Sequence, residues 1–335
     1  MRCMQFDPES WSTYILGCIR RSIPYLLHLV VLATVVGILV ALLVFQSIDL
    51  VLKGVYLISP VLLASYILQV IYKKDLILDG TITLFSCNKK YLLMLFVCVF
   101  STIFIILGAD LEIFRIYPAL VTLLYVIILI QIFSSKVSEI ILLFEIMLTQ
   151  AGFILSSILK HDFYFGGTDI MPHRFMATVT YLSGQTLPPE FVGYAEFPLY
   201  HIFIAECSHV LGINIETAIF FFTWPISVIG VIFVYYIFLN TVGNKQIALL
   251  TSLIYTMNAM TLIHSIYMVP RSLAFVGFLM FLYFVTSSNR LKNPYAKCVL
   301  VTIVGVFTVL VHQVSILLII ALLCLLVVCE WVVDR

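Results

Sequence analysis

Long apolar runs dominate the chain and predict its architecture. They cover about residues 23–46, 54–72, 91–109, 116–133, 138–159, 215–239, 246–263, 272–288 and 298–333. Most of them are close to the length of about 20 residues with which a helix crosses a hydrocarbon core of roughly 30 Å. The runs are continuous and do not alternate with polar positions, so the pattern favours helices over membrane strands.

The last run, 298–333, is too long for a single span. As one helix it would be about 54 Å long, and it carries the polar interruption His312-Gln313-Val314-Ser315. We therefore expect a hairpin of two short spans. The whole pattern predicts an all-α polytopic membrane protein with about 10–11 transmembrane helices.

Composition agrees with this pattern and excludes several classes of protein. Hydrophobic residues make up 63% of the chain and charged residues only 10%, with a net charge of +1. So few charges cannot cover the surface of a soluble globular enzyme, and a nucleic-acid-binding protein would need a basic surface. The 8 cysteines form no C-x-x-C pair, so neither a disulfide framework nor a zinc site is indicated. Composition and residue spacing by themselves therefore predict no metal ligands.

Basic residues in the short loops predict the orientation. Arg2, Arg20 and Arg21 near the N-terminus, the lysines of loop 73–90 and Lys136 fall on one side if each run spans once. We take that side as cytoplasmic, in a multi-pass protein of the cell membrane. Residues 1–137 then form an N-terminal extension of four transmembrane helices, and residues 138–335 form a second module with an outward loop at 160–214.

The outward loop concentrates the ionisable residues. Residues 160–216 hold six of the 17 acids and four of the 7 histidines of the chain. Helix signals predict two juxtamembrane helices, one at about 172–183 stopped by Gly184 and one at 197–211 stopped by Gly212. The second helix is too short and too polar to span, and the next span begins at an Asn214 cap with Glu216 in its first turn.

Two motifs in this loop carry a family resemblance. Gly166-Gly167-Thr168-Asp169-Ile170-Met171-Pro172-His173-Arg174 leads into the first short helix, and Tyr194-Ala195-Glu196-Phe197-Pro198-Leu199-Tyr200-His201 opens the second. This arrangement resembles the first external loop of the GT-C superfamily of membrane glycosyltransferases, which includes oligosaccharyltransferase catalytic subunits and protein O-mannosyltransferases. The resemblance covers about residues 138–320. It implies a GT-C-like fold with two juxtamembrane helices in an extracytoplasmic loop.

The resemblance also implies an activity and a set of site residues. The expected donor is a polyprenyl-phosphate-linked sugar, and the expected acceptor is a protein, a lipid or a glycan. The loop acid of the family corresponds to Asp169, as general base or metal ligand, and Glu196 is a second catalytic candidate. Candidates for binding the substrate or its phosphate are His173, Arg174, His201, Tyr267 and Arg271. Structural alternatives stay open, since Asp169 also suits a helix cap and Arg174 also suits a lipid-headgroup anchor.

The next external loop departs from the pattern of oligosaccharyltransferase subunits. It reads His264-Ser265-Ile266-Tyr267-Met268-Val269-Pro270-Arg271 and lacks the second acidic pair. The cofactor therefore stays unknown, with a divalent metal still open, and Arg271 suits phosphate binding without metal. Two other classes remain as alternatives, a multi-pass transporter or flippase and a non-catalytic membrane assembly subunit.

Overall fold

The computed structural model describes residues 83–108, 116–134, 138–160, 169–267, 269–287 and 293–313. It also describes isolated positions between 28 and 66 and between 317 and 324. The chain forms two compact units, Met1–Thr81 with Leu323–Arg335, and Ile82–Leu322. Every helix described below belongs to the second unit. The expected spans at 23–46 and 54–72 and the second limb of the hairpin fall largely outside the described residues.

The described part of the second unit is all-helical, as predicted. Apart from an isolated bridge between Phe85 and Ser134, these residues form no strand. The helices are α1 (Lys89–Gly108), α2 (Ile116–Ile132), α3 (Glu139–Lys160), α4 (Ile170–Ser183), α5 (Leu199–Leu211), α6 (Ile215–Val242), α7 (Lys245–Met257), α8 (Ala259–Tyr267), α9 (Pro270–Thr286) and α10 (Pro294–Val311).

Three of the described helices, α1, α3 and α6, are long and apolar enough to cross a membrane. The bent pair of α7 and α8 makes a fourth candidate if it counts as one span. Apolar side chains on the outer face of α1 are exposed, for example Met94 at 58% and Ile105 at 69%. Large exposed apolar surfaces of this kind suit contact with lipid. A membrane protein is therefore indicated, and the full number of spans stays a prediction.

The apolar core has two parts along the bundle, which we name inner and outer after the orientation that the sequence predicts. The inner part joins α1, α2, α3, α6 and α7 around Ile128, Ile146 and Val231. The outer part joins the end of α3 to α4, α5, the start of α6, α9 and the end of α10. Since α1 and α2 pack against α3, they share one core across residue 137, where the sequence analysis divides the chain. That division stays a prediction.

We name residues 169–216 the outward region, after the loop that the sequence predicts there. Its helix ends follow the predicted signals. Gly184 and Gly212 both adopt φ of 63°, and their N–H groups donate to the carbonyl oxygens of Thr180 and Ser208. The Asn214 side chain accepts a hydrogen bond of 2.7 Å from the Thr217 N–H at the start of α6. Only glycine enters this left-handed conformation without a steric penalty from Cβ. These three predictions are confirmed.

The run at 246–263, predicted as one span, is broken. Asn258 ends α7 and its side chain accepts from the N–H groups of Met260 and Thr261, so it caps α8. The axes of the two helices differ by 61°. An asparagine cap competes with helix continuation, and the break turns α8 toward the start of α9. His264 therefore lies on a separate helix, α8, after this break.

Candidate functional site

Two histidines form the buried centre of the outward region. His173 on α4 and His201 on α5 are 3% and 0% exposed, and His173 Nδ1 lies 3.2 Å from His201 Nε2. The helical period that buries Met176 and Thr180 on α4 also buries His173. The two short helices therefore meet through a hydrogen bond between imidazoles, and both of these candidates enter one cluster.

Tyr194 covers this pair from the loop between the two helices. Its ring stands nearly perpendicular to both imidazoles, with centroids 5.0 Å from His173 and 5.7 Å from His201. Gly193, with φ of 84°, allows the preceding turn, and a Cβ there would lie 2.8 Å from Gln313 Oε1. The segment after α10 therefore lies close to the loop that carries Tyr194.

Burial keeps both imidazoles neutral. Desolvation lowers the pKa of His173 to about 4, with Asp169 acting in the opposite direction and Arg271 adding to the decrease. Desolvation also lowers the pKa of His201 to about 3. The charged form of histidine is penalised in a low-dielectric environment. At neutral pH, each ring therefore carries a single N–H.

Asp169 lies at the edge of this cluster, directly before α4. It occupies the N-cap position, but its side chain makes no capping hydrogen bond and is exposed. The capping role that the sequence left open is therefore absent. The charge of Asp169 reaches His173 and Tyr194 nearby, and it also reaches His264 and His312 on other elements.

Arg271 approaches the same cluster from α9. It follows Pro270 in the first turn of that helix and its side chain is exposed. Its charge reaches the same four groups, His173, Tyr194, His264 and His312. Coulomb interactions of this kind act over short range near a protein surface. Asp169 and Arg271, which are far apart in sequence, therefore act on one site.

An apolar cavity of about 520 Å³ opens beside this cluster. His264, Arg271 and His312 line its polar end, and His264 Nδ1 is buried there without a hydrogen-bond partner. The apolar walls come from α6, α7, α8 and α9. They include Val234, Phe238, Ile254, Tyr255, Phe275 and Phe278. Arg271 and Phe278 are seven residues apart on α9, so the cavity extends about 10 Å along that helix.

Comparison with known protein families, curated proteins and solved structures finds no match for this chain. The chemistry of the site therefore has to be derived from its own side chains.

The arrangement suits a ligand that has a long apolar part and an anionic head. Arg271 and the N-terminus of α9 favour an anion, since backbone N–H groups and the helix dipole are directed there. Asp169 supplies a carboxylate that is exposed and can accept a proton. The apolar cavity behind Arg271 supplies a volume for a hydrocarbon chain.

The remaining candidates lie outside this cluster. Glu196 is exposed two residues before Pro198, the cap residue of α5. Arg174 forms a salt bridge with Glu216 in the first turn of α6, and both side chains are about half exposed. Tyr267 packs against the outer core. Among the described residues, no hydrogen bond, ion pair or ring contact joins these three to the histidine pair, and their functional roles stay predictions.

Sequence reasoning did not select Tyr194, His264 or His312 for the site. His312 ends α10 in extended conformation and is 8% exposed, so the polar interruption at this point is an inward-facing group. His264 and Arg271 lie on different helices, α8 and α9, so no helical spacing in the sequence indicated that they would line one cavity. Among the described residues, no group of three or more His, Cys, Asp or Glu side chains could hold a metal ion.

Proposed function

We propose that this protein is a membrane glycosyltransferase that takes a sugar from a polyprenyl-phosphate carrier at the extracytoplasmic face. One observation carries the proposal: Arg271, His264 and His312 line an apolar cavity of about 520 Å³. The charges of Asp169 and Arg271 both influence the two histidines of this lining. A lipid-linked phosphate sugar has the matching parts, which are a hydrocarbon chain, a phosphate and an anomeric carbon.

The proposed chemistry is a displacement at the anomeric carbon. A hydroxyl or amide group of the acceptor attacks this carbon, and Asp169 takes its proton. The bond between the anomeric carbon and the phosphate oxygen breaks, and its electron pair stays on that oxygen. Arg271 and the N-terminus of α9 stabilise the charge that develops on the leaving polyprenyl phosphate. His264 and His312 line the same end of the cavity and complete the environment of the phosphate.

The direct test uses the full chain in lipid nanodiscs with a set of defined polyprenyl-phosphate sugars and a set of acceptors, namely a peptide with hydroxyl and amide side chains, a lipid and a glycan. Release of polyprenyl phosphate is measured for the wild type, for Asp169→Asn and for Glu190→Gln. We expect Asp169→Asn to lose about 100- to 10 000-fold in rate, as is typical when a general base is removed. Glu190 is an exposed acid in the same loop, so Glu190→Gln is the matched control and is expected to keep its rate.

Two results would contradict the proposal at different points. Full activity of Asp169→Asn would remove the carboxylate from the chemistry while leaving the transferase in place. No release by folded wild-type protein from any donor in the set would overturn the transferase itself.

A second candidate, a transporter, rests on a different observation. Glu145 is buried inside the spanning helix α3 and accepts a hydrogen bond of 2.7 Å from Gln131. Ionisable groups within a span often mark the path of a transported ion or substrate. The acid lies in the inner half of the bundle, and the site proposed above lies at its outer end.

A further inference from the structure

The histidine pair has an unpaired atom that determines its hydrogen-bond direction. His201 is fully buried, and its Nδ1 has no hydrogen-bond partner. Its Nε2 lies 3.2 Å from His173 Nδ1, so one of these two nitrogens donates to the other. Since a neutral imidazole has one N–H and one bare nitrogen, the choice of donor fixes both tautomers.

Both directions leave the same atom, Nδ1 of His201, without a partner, but they differ in whether that atom carries a hydrogen. If His173 Nδ1 donated, the hydrogen of His201 would lie on Nδ1, buried with no acceptor. If His201 Nε2 donates, the unpaired Nδ1 of His201 is only a bare lone pair. A buried N–H without a partner is rarer and more costly than an unused acceptor. The network therefore favours donation from His201 to His173.

We infer that His201 is a positioning residue whose Nε2–H group donates to His173 Nδ1, so that His173 is held in one neutral tautomer with its own N–H on Nε2, beside the ring of Tyr194. In this arrangement the hydrogen of His173 cannot be on Nδ1, because that atom is the acceptor. The remaining N–H is then on Nε2. The inference rests on the proposed function for the identity of the substrate, but the tautomer stands on the geometry alone.

A histidine partner has a consequence that a carboxylate partner would not have. A carboxylate beside His173 would favour its charged form, whereas a neutral imidazole only orients it. The groups that face the pair are Asp169, Tyr194, Tyr200, Arg271 and His312. The charges of Asp169 and Arg271 oppose each other there, and burial lowers the pKa of both histidines. The pair therefore stays uncharged over the neutral range of pH.

A neutral donor suits the reaction proposed above. An uncharged pair does not compete as an ion for the carboxylate of Asp169. The positive charge at the site then comes from Arg271. Proton transfer stays with Asp169, and the histidine pair supplies orientation.

The tautomer can be measured without an activity assay. The full chain, labelled with ¹⁵N in its histidine rings, is placed in nanodiscs, and two-bond ¹H–¹⁵N correlation spectra are recorded at pH 6 and pH 7.5. His173→Gln and His201→Gln assign the two signals among the 7 histidines. We expect both rings to be neutral at both pH values and to carry hydrogen on Nε2. Hydrogen on Nδ1 of His173, or a charged ring at pH 6, would overturn the inference.

Two substitutions of His201 test the positioning role. The side-chain amide of His201→Gln can still donate to His173, whereas His201→Phe fills the space without a donor. We expect the glutamine variant to keep the His173 tautomer and most of the transfer rate. In the phenylalanine variant we expect mixed tautomers and a loss in kcat of about 10- to 100-fold, the range seen when the partner that orients a functional histidine is removed.

The outcomes separate this inference from the proposed function. An unchanged kcat and tautomer in folded His201→Phe would contradict the positioning role. If His201→Phe does not fold, the wild-type tautomer and the glutamine variant still decide the question. If the wild type shows the expected tautomer but releases no polyprenyl phosphate, the proposed function is overturned and the assignment of the histidine pair stands. If the wild type is active but His173 has the opposite tautomer, the proposed function stands and the assignment of the histidine pair is overturned.

Discussion

Two buried, hydrogen-bonded side-chain pairs lie in different halves of the bundle. Gln131 and Glu145 join α2 to α3 in the inner half, and His173 and His201 join α4 to α5 in the outer half. Each pair leaves one buried atom unpaired, Oε1 of Glu145 and Nδ1 of His201. Burial and incomplete hydrogen bonding are therefore common to both, and neither property alone identifies a functional site.

The surroundings of the two pairs differ. The opposite charges of Asp169 and Arg271 act on the outer pair, and the apolar cavity ends beside it at His264 and His312. The inner pair lies on the helices that form the inner apolar core. A ligand needs access and charges that are not already neutralised by neighbours. On this basis we propose that the functional site lies in the outer half, and we expect the inner pair to stabilise the contact between two helices.

The largest effect on transfer is expected from substitution of Arg271, which lines the cavity in the outer half. In Arg271→Gln the phosphate loses its cation, and we expect kcat/KM for the lipid-linked donor to fall by about 100- to 1000-fold, the range for removal of one stabilising donor. Arg271→Lys keeps the charge but loses the planar guanidinium, so it should retain an intermediate rate. Polyprenyl phosphate release measures both variants. An unchanged kcat/KM in the glutamine variant would remove Arg271 from the site.

A smaller effect is expected when the cavity is narrowed. Met260 and Ile263 are both exposed on α8, but only Met260 lines the cavity. If Met260→Trp displaces about two methylene groups of the carrier, at about 0.8 kcal/mol each, KM should rise roughly 10-fold. Ile263→Trp is the matched control and should leave KM unchanged. A donor with a short carrier chain should not distinguish the variants, and equal effects of the two tryptophans would contradict the cavity as the carrier site.

The inner pair is expected to affect stability and not transfer. Glu145→Ala leaves the Gln131 amide buried without its acceptor, so we expect unfolding to become easier by about 1–3 kcal/mol. Glu145→Gln can keep a hydrogen bond to Gln131 and should leave polyprenyl phosphate release unchanged. Thermal unfolding in detergent and the release assay check both variants. A proton or solute flux in proteoliposomes that Glu145→Gln abolishes would favour the transporter instead.

Local sequence signals predicted the helices that surround the site, but tertiary packing determines which side chains come together in it. Gly184, Gly212 and Asn214 set helix ends through interactions within a few residues, so the sequence could locate α4, α5 and the start of α6. His264 and His312 come from α8 and the end of α10. They line one cavity together with Arg271 of α9, and the break at Asn258 precedes the helix that carries His264. The break was not predicted because Asn258 lies within a long apolar run. The hydrophobic pattern gives the length of such a run more clearly than the position of a helix cap inside it.

The smallest expected effect concerns Arg174, whose neighbour His173 points into the cluster while Arg174 pairs with Glu216. Both side chains are about half exposed, so this salt bridge should contribute less than about 1 kcal/mol. If the pair is only structural, Arg174→Gln and Glu216→Gln lower the melting temperature by the same small amount and leave transfer unchanged. If Arg174 binds the phosphate, as the sequence predicts, Arg174→Gln alone reduces kcat/KM. Glu216→Gln would then keep its activity or increase it, because its loss frees the guanidinium for the donor. The two variants together therefore decide whether the site extends from His173 to the next residue or ends there.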